Sequence, residues 1–215
     1  MKNPGTNLVY KAGWALSHFV FDYFTRWEIY GTENIPKDGP FLLAGNHASF
    51  FDPPAFGAAC PRELHYFARS TLFVGRFGNL IRQCHAIPID RDGGNDLQAF
   101  REVFKVLRSG GGLLVFPEGT RSNDGNLREA RPGVGMIAVR AKVPIVPARI
   151  HGSFRVYSRH QKLPDLQNRI SVVYGPPLDV ADLDPGDDAP QRFQRISAGV
   201  LDAIAQLNPP PRQDV

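Results

Sequence analysis

The sequence predicts an α/β domain whose central sheet, largely parallel or mixed, is flanked by helices. Two observations point there. Short apolar runs of strand length alternate with helical segments of about ten residues, and the 215 residues exceed the usual ~150-residue domain too little to build two cores. Apolar residues at 42% and charged ones at 21% are ordinary globular values and exclude a disordered chain, while 21 glycines without a three-residue period exclude collagen.

The elements follow in order. A greasy N-terminal segment reads as helix, and Phe41 to Ala44 is a short apolar strand. Asn46 to Phe51 forms a loop ending at Asp52, a good helix cap, with Pro53-Pro54 opening a short helix. Leu64 to Ala68 reads as strand, Leu72 to Ile81 as helix and Ala86 to Ile89 as strand. Asn95 caps a helix in which Leu97, Phe100, Val103, Phe104 and Leu107 recur at helical spacing until Gly110 stops it. Leu113 to Phe116 is a buried strand, Gly133 to Lys142 a helix, and Ile145 to Ile150 and Ile170 to Tyr174 are strands. Phe193, Ile196, Val200, Leu201, Ile204 and Leu207 mark a last amphipathic helix, ended by Pro209 to Pro211. In such folds ligands bind at the carboxyl ends of the strands.

Charge is unevenly placed. The stretch Arg121 to Arg169 holds ten Lys/Arg against three Asp/Glu, while Asp179 to Asp188 holds five Asp and no base. The basic stretch suits an anionic partner: a phosphorylated substrate, an acidic lipid surface or nucleic acid. Nucleic acid is the weakest of these, because the bases are scattered over several elements without a recognition helix or stacking platform. Cys60 and Cys84, the only cysteines, lack CxxC or zinc spacing, so no disulfide framework and no metal site is expected, and a cytoplasmic setting is the default.

No apolar run reaches the ~18 residues of a spanning helix, and the N-terminal stretch lacks a signal-peptide cleavage site. Asn7, Lys11, His18, Asp22 and Arg26 form one polar stripe on a helix otherwise covered by Leu8, Trp14, Leu16, Phe19, Tyr23, Phe24 and Trp27. That helix suits either the domain core or a membrane interface. The GxxxxGK, GxGxxG, GxSxG and HExxH patterns are all absent, and Cys60 has no adjacent base, which removes the common nucleotide, serine-hydrolase, zinc-protease and thiol readings.

Two loops carry chemistry. In Asn46-His47-Ala48-Ser49-Phe50-Phe51-Asp52 an imidazole and a carboxylate stand five positions apart on a loop leaving a strand. A neutral imidazole accepts a proton from an alcohol near neutral pH, and a carboxylate on its other nitrogen fixes its tautomer. Asp52 equally suits a plain cap. In Pro117-Glu118-Gly119-Thr120-Arg121, the glycine allows close backbone approach and Arg121 offers a planar fork to a phosphate, although an ordinary turn with a Glu118–Arg121 ion pair has the same sequence.

The ordered pair Asn46-His47-x-Ser49-x-x-Asp52 and Phe116-Pro117-Glu118-Gly119-Thr120-Arg121, about 65 residues apart, resembles the 1-acyl-sn-glycerol-3-phosphate acyltransferase family. Ile87-Pro88-Ile89-Asp90-Arg91 and Val143-Pro144-Ile145-Val146-Pro147 look like two further blocks of that family, and Gly31-Thr32-Glu33-Asn34-Ile35-Pro36 looks like its lead-in. The resemblance covers Tyr30 to Gly175. It implies an acyl transfer from acyl-CoA or acyl carrier protein, as co-substrate and without a further cofactor, to the free hydroxyl of a lysophospholipid. His47 would be the general base and Asp52 its orienting partner. Asn46, Ser49, Glu118, Gly119, Thr120 and Arg121 would line the acceptor site, with Arg91 in support. Arg69-Ser70 stands where family members often carry Lys-Lys, which leaves a positive charge but opens the choice of headgroup. Loop N–H groups near Ser49 are the expected oxyanion donors. With a lipid substrate the N-terminal helix, residues 1–29, reads as an interfacial element on the cytoplasmic face of a membrane, and residues 30–215 as one acyltransferase domain.

Overall fold

A computed structural model describes residues 7–90, 97–184, 186 and 191–211. Helix α1, Leu8–Val20, continues as a π-helical turn to Thr25, and strand β1 is Glu28–Tyr30. Then come β2 (Phe41–Gly45), α2 (Asp52–Ala59), β3 (Leu64–Arg69), α3 (Gly75–Gln83), β4 (Ala86–Ile89), α4 (Leu97–Arg108) and β5 (Gly112–Val115). Helix α5 (Gly133–Ala141), β6 (Ile145–His151), α6 (Ser153–Tyr157), β7 (Ser171–Tyr174), α7 (Val180–Leu183) and α8 (Arg192–Gln206) complete the order.

The sheet runs β1-β7-β6-β2-β5-β3-β4. Strands β6, β2, β5, β3 and β4 are mutually parallel, whereas β7 runs antiparallel to β6 and carries β1 parallel to itself. The sheet is therefore mixed with a parallel centre, as the sequence predicts. Central β2 is buried along its whole length. Its alternate side chains divide between two cores: Phe41 and Leu43 pack with α2 and Phe21, while Leu42 and Ala44 pack with residues of α4, α5 and α8. All five parallel strands deliver their carboxyl ends to one rim, where the loops after β2 and β5 lie on adjacent strands.

Several boundaries move. The helix expected over Leu72 to Ile81 starts later, because Ser70–Leu72 forms a 3-10 turn and Val74 is extended. Lys142, in the left-handed region, ends α5. Asn95 lies outside the described residues. Among the described residues, no helix is long and apolar enough to cross a membrane. Helix α1 turns part of its polar stripe inward: Asn7 Nδ2 donates to Gln83 O at 3.0 Å and His18 Nε2 lies 2.8 Å from Ala58 O. Leu8, Leu16, Phe19 and Tyr23 instead stand outside, each more than 60% exposed.

Candidate active site

The first loop begins where β2 runs out. Asn46 adds a side-chain rung to the sheet: its Oδ1 accepts from Ile150 N at 2.8 Å and its Nδ2 donates to Ile150 O at 3.1 Å. This buried amide fixes where the chain leaves the strand. His47 follows, with Nδ1 2.9 Å from Asp52 Oδ2. The same oxygen accepts from Ala48 N at 2.6 Å and Ser49 N at 2.7 Å. Because Oδ2 is already an acceptor for two backbone amides, Nδ1 is the donor in the third bond, which makes Nε2 the acceptor nitrogen of the neutral ring.

The carboxylate is available for this work because α2 makes no use of it. Asp52 is the first residue of α2 rather than the cap outside it, and the next two residues are prolines without N–H groups. The next N–H, that of Ala55, already bonds Phe51 O at 2.9 Å, and Asp52 turns back and gathers the preceding loop. The expected plain cap is thus replaced by a loop organiser, fully buried.

The second loop leaves β5 beside it. The Phe116 ring lies flat on the His47 imidazole, centroids 4.0 Å apart at 14°. Glu118, 2% exposed, accepts from His47 N at 2.7 Å through Oε1 and from Arg128 N at 3.0 Å through Oε2. Ser122 N returns a bond to His47 O at 2.8 Å. The backbone of His47 is therefore gripped on both its N–H and its C=O by the loop after β5. Burial lifts the Glu118 carboxyl above the ordinary value, against the two amide bonds that lower it. Gly119 has φ of 67°, and a Cβ there would sit 2.8 Å from Arg131 Cδ, so the turn admits only glycine without rearrangement. Thr120 and Arg121 are half-buried on the same turn. The Arg121 guanidinium lies 3.5 Å over the Phe50 ring centroid, so the two motifs also meet through a cation–π contact.

Not all expected ligands face a substrate. Asn46 and Glu118 spend their polar atoms on backbone, and Ser49 Oγ donates to Tyr157 O at 2.8 Å and accepts from Phe51 N at 3.0 Å. In this structure these three act as struts of the two loops. The expected oxyanion donors near Ser49 are also spent: Ala48 N and Ser49 N bond Asp52, Phe50 N bonds Tyr157 O, and Phe51 N bonds Ser49 Oγ. Arg69 stands exposed at the carboxyl end of β3, one strand beyond β5. Arg91 lies outside the described residues. Sequence reasoning passed over Phe50 and Tyr157. The first sat at an unspecified motif position, and the second contributes a main-chain carbonyl that no side-chain pattern signals. Among the described residues, no group of three or more His, Cys, Asp or Glu is placed to hold a metal ion.

The arrangement sets a fixed imidazole next to a guanidinium-bearing turn at the rim of the sheet. Comparison with known proteins gives the same direction. The family model described as Acyltransferase matches residues 26–151. A 1-acyl-sn-glycerol-3-phosphate acyltransferase of Bacillus subtilis is 30% identical over 158 residues, covering 72% of this chain and 75% of the relative. One of Streptococcus pneumoniae is 31% identical over 173 residues, covering 75% of this chain and 61% of the relative. The crystal structure of the 1-acyl-sn-glycerophosphate acyltransferase PlsC of Thermotoga maritima superposes with a TM-score of 0.71 at 24% identity, covering 93% of this chain and 81% of that one. That likeness concerns the fold.

Proposed function

This chain belongs to the Acyltransferase family, and we propose that it transfers a fatty acyl group from a thioester donor to the free hydroxyl of a lysophospholipid, 1-acyl-sn-glycerol-3-phosphate, forming phosphatidic acid. The observation that carries the reading is the His47–Asp52 pair at 2.9 Å, with the His47 main chain held by Glu118 Oε1 and Ser122 N of the loop that bears Arg121.

In this mechanism His47 Nε2 takes the hydroxyl proton as the acceptor oxygen attacks the thioester carbonyl. The tetrahedral intermediate collapses with cleavage of the C–S bond, and the imidazolium returns its proton to the departing sulfur, so a free thiol leaves and no acyl-enzyme forms. Asp52 holds the ring and stabilises its charged form. Arg121, steadied on Phe50, and Arg69 from the neighbouring strand supply the positive charge for the acceptor phosphate. The donor is an acyl-CoA or an acyl carrier protein. The exposed apolar face of α1 supports a peripheral position at a membrane surface, where acceptor and product reside.

The decisive measurement is thiol release from palmitoyl-CoA with and without 1-acyl-sn-glycerol-3-phosphate. The wild-type protein releases thiol only with acceptor, and His47→Ala loses about 10²- to 10⁴-fold with an unchanged fold. Unchanged turnover in His47→Ala would remove the mechanism.

A further inference from the structure

We infer that the segment from Arg69 to Gln83 is a second membrane-docking element that seats on an anionic bilayer surface beside the mouth of the site. It rests on the acyltransferase reading only for the activity arm of its test.

The segment is unusually bare. Of the nine residues of α3, only Gly78 is buried. Leu72, Val74, Phe77 and Leu80 are 46, 73, 57 and 47% exposed. Isolated exposed apolar residues are normal, but four within nine positions form a patch. Phe77 and Leu80 follow three apart and so neighbour each other on one surface of α3, with the extended Val74 just before its first residue. The lead-in is pinned in place, since a Cβ on Gly78 would lie 2.3 Å from the Phe73 carbonyl carbon. Helix and preceding turn therefore fold against each other and push their remaining side chains outward.

Charge selects the occupant. Between Arg69 and Gln83 the sequence carries Arg69, Arg76 and Arg82 and no Asp or Glu. The Arg82 guanidinium lies 5.0 Å from the Phe73 ring centroid, which keeps a cation beside the aromatic surface. Aliphatic and aromatic side chains mixed with guanidinium groups, in a stretch of sequence without a carboxylate, match a headgroup layer over acyl chains. A protein partner for such a surface would have to be both acidic and apolar.

Place supports the same occupant. The segment begins at the carboxyl end of β3, on the rim that holds His47 and Arg121, and α3 touches α1. Docking here would bring the rim to the depth at which a lipid acceptor presents its hydroxyl.

The test uses the full chain and two variants, Val74→Ser/Phe77→Ser/Leu80→Ser and Arg76→Gln, with thermal melts as the fold control. Flotation is measured with phosphatidylcholine vesicles, with and without phosphatidylglycerol, and thiol release with a short-chain, monomeric acceptor. The triple variant should lose tenfold or more of its binding to anionic vesicles and keep its turnover on the soluble acceptor. Arg76→Gln should weaken binding only where phosphatidylglycerol is present. Equal flotation of wild type and triple variant overturns the inference. So does a wild-type dimer that the triple variant converts to monomer, because the patch would then be covered by a second copy. Failure of the wild-type chain to release thiol from the soluble acceptor would count against the acyltransferase reading and leave the flotation result standing.

Discussion

At the scale of residues, the chemistry of this rim depends on how buried carboxylates are used. Asp52 and Glu118 both accept backbone N–H groups, one from its own loop and one from across two adjacent strands. Glu118→Gln retains shape but must set an NH₂ group against either His47 N or Arg128 N. The expected outcome is a fall in kcat of about 10- to 100-fold with the acceptor KM nearly unchanged, since a base displaced by a fraction of an ångström costs chemistry rather than binding. Steady-state kinetics decide it, because a raised KM at constant kcat would make Glu118 an acceptor ligand. Arg121→Ala should behave in the opposite way. Loss of a charge-assisted bond worth about 1.5–3 kcal/mol should raise the KM of a phosphate-bearing acceptor by about 10- to 100-fold and spare one without phosphate. The pairing of His47 with Asp52 was suggested in the sequence by the family resemblance rather than by their spacing, since Asp52 suits a plain cap equally well. The main-chain bonds of Asn46, Ser49 and Glu118 were not legible, because a polar side chain that bonds main chain looks the same, in one sequence, as one that bonds substrate.

At the scale of elements, strands with both faces buried were the clearest in the sequence, as continuous apolar runs at Phe41 to Ala44 and Leu113 to Phe116 show. Strand β1 was not legible: three half-buried residues give no periodicity, and its existence depends on pairing with β7, more than 140 positions away. The π-helical turn after Val20 escaped as well, for its Thr25 hydroxyl bond to Phe21 O at 2.8 Å is a local side-chain bond that apolar periodicity does not register. Helix α1 is seated by rings. Tyr10 stacks on His85 at 4.8 Å, and His85 on His65 at 4.5 Å. The same Tyr10 hydroxyl accepts from Leu64 N at 3.0 Å. Burial, helped by the neighbouring His85, lowers His65 to about 4, whereas His85 is lowered by burial and lifted by Glu63. A base whose folded value lies below its unfolded one binds protons more readily when unfolded. Its stabilisation is complete above the unfolded value of ~6.5 and is lost as the pH falls towards the folded value. The unfolding free energy from urea titrations should therefore drop between pH 6.5 and 4 in the wild-type chain, by about a few kcal/mol at most. His65→Phe should flatten that window, and an equally steep profile in the variant would assign the loss to other groups.

At the scale of the whole molecule, the division at residue 29 does not coincide with the packing. Phe21 is 2% exposed within the core that contains Phe41 and Phe56, and β1 begins at Glu28, inside the sheet. Deleting residues 1–27 would therefore open a core as well as remove an apolar face, and it should lower the melting temperature sharply. Leu16→Glu/Phe19→Glu is the cleaner probe, since both side chains are more than 60% exposed. It should reduce vesicle flotation and leave the melting temperature within a few degrees. A variant that melts like wild type and floats like it would confine membrane contact to other surfaces. The alternation of strands and helices made the parallel centre of the sheet readable. The reversal at β7 was not, because sequence order carries no sign of strand direction.

The start of α2 has one more consequence. Asp52 N bonds Ser49 O, Ala55 N bonds Phe51 O, and Pro53 and Pro54 have no proton to give. A helix that begins at the reactive rim is thus chemically mute towards anions, although such starts commonly attract them. On the proposed reading, selectivity for a charged headgroup would then rest on guanidinium side chains rather than on the scaffold, and single substitutions would redirect it towards neutral or zwitterionic lipids without disturbing the architecture beneath.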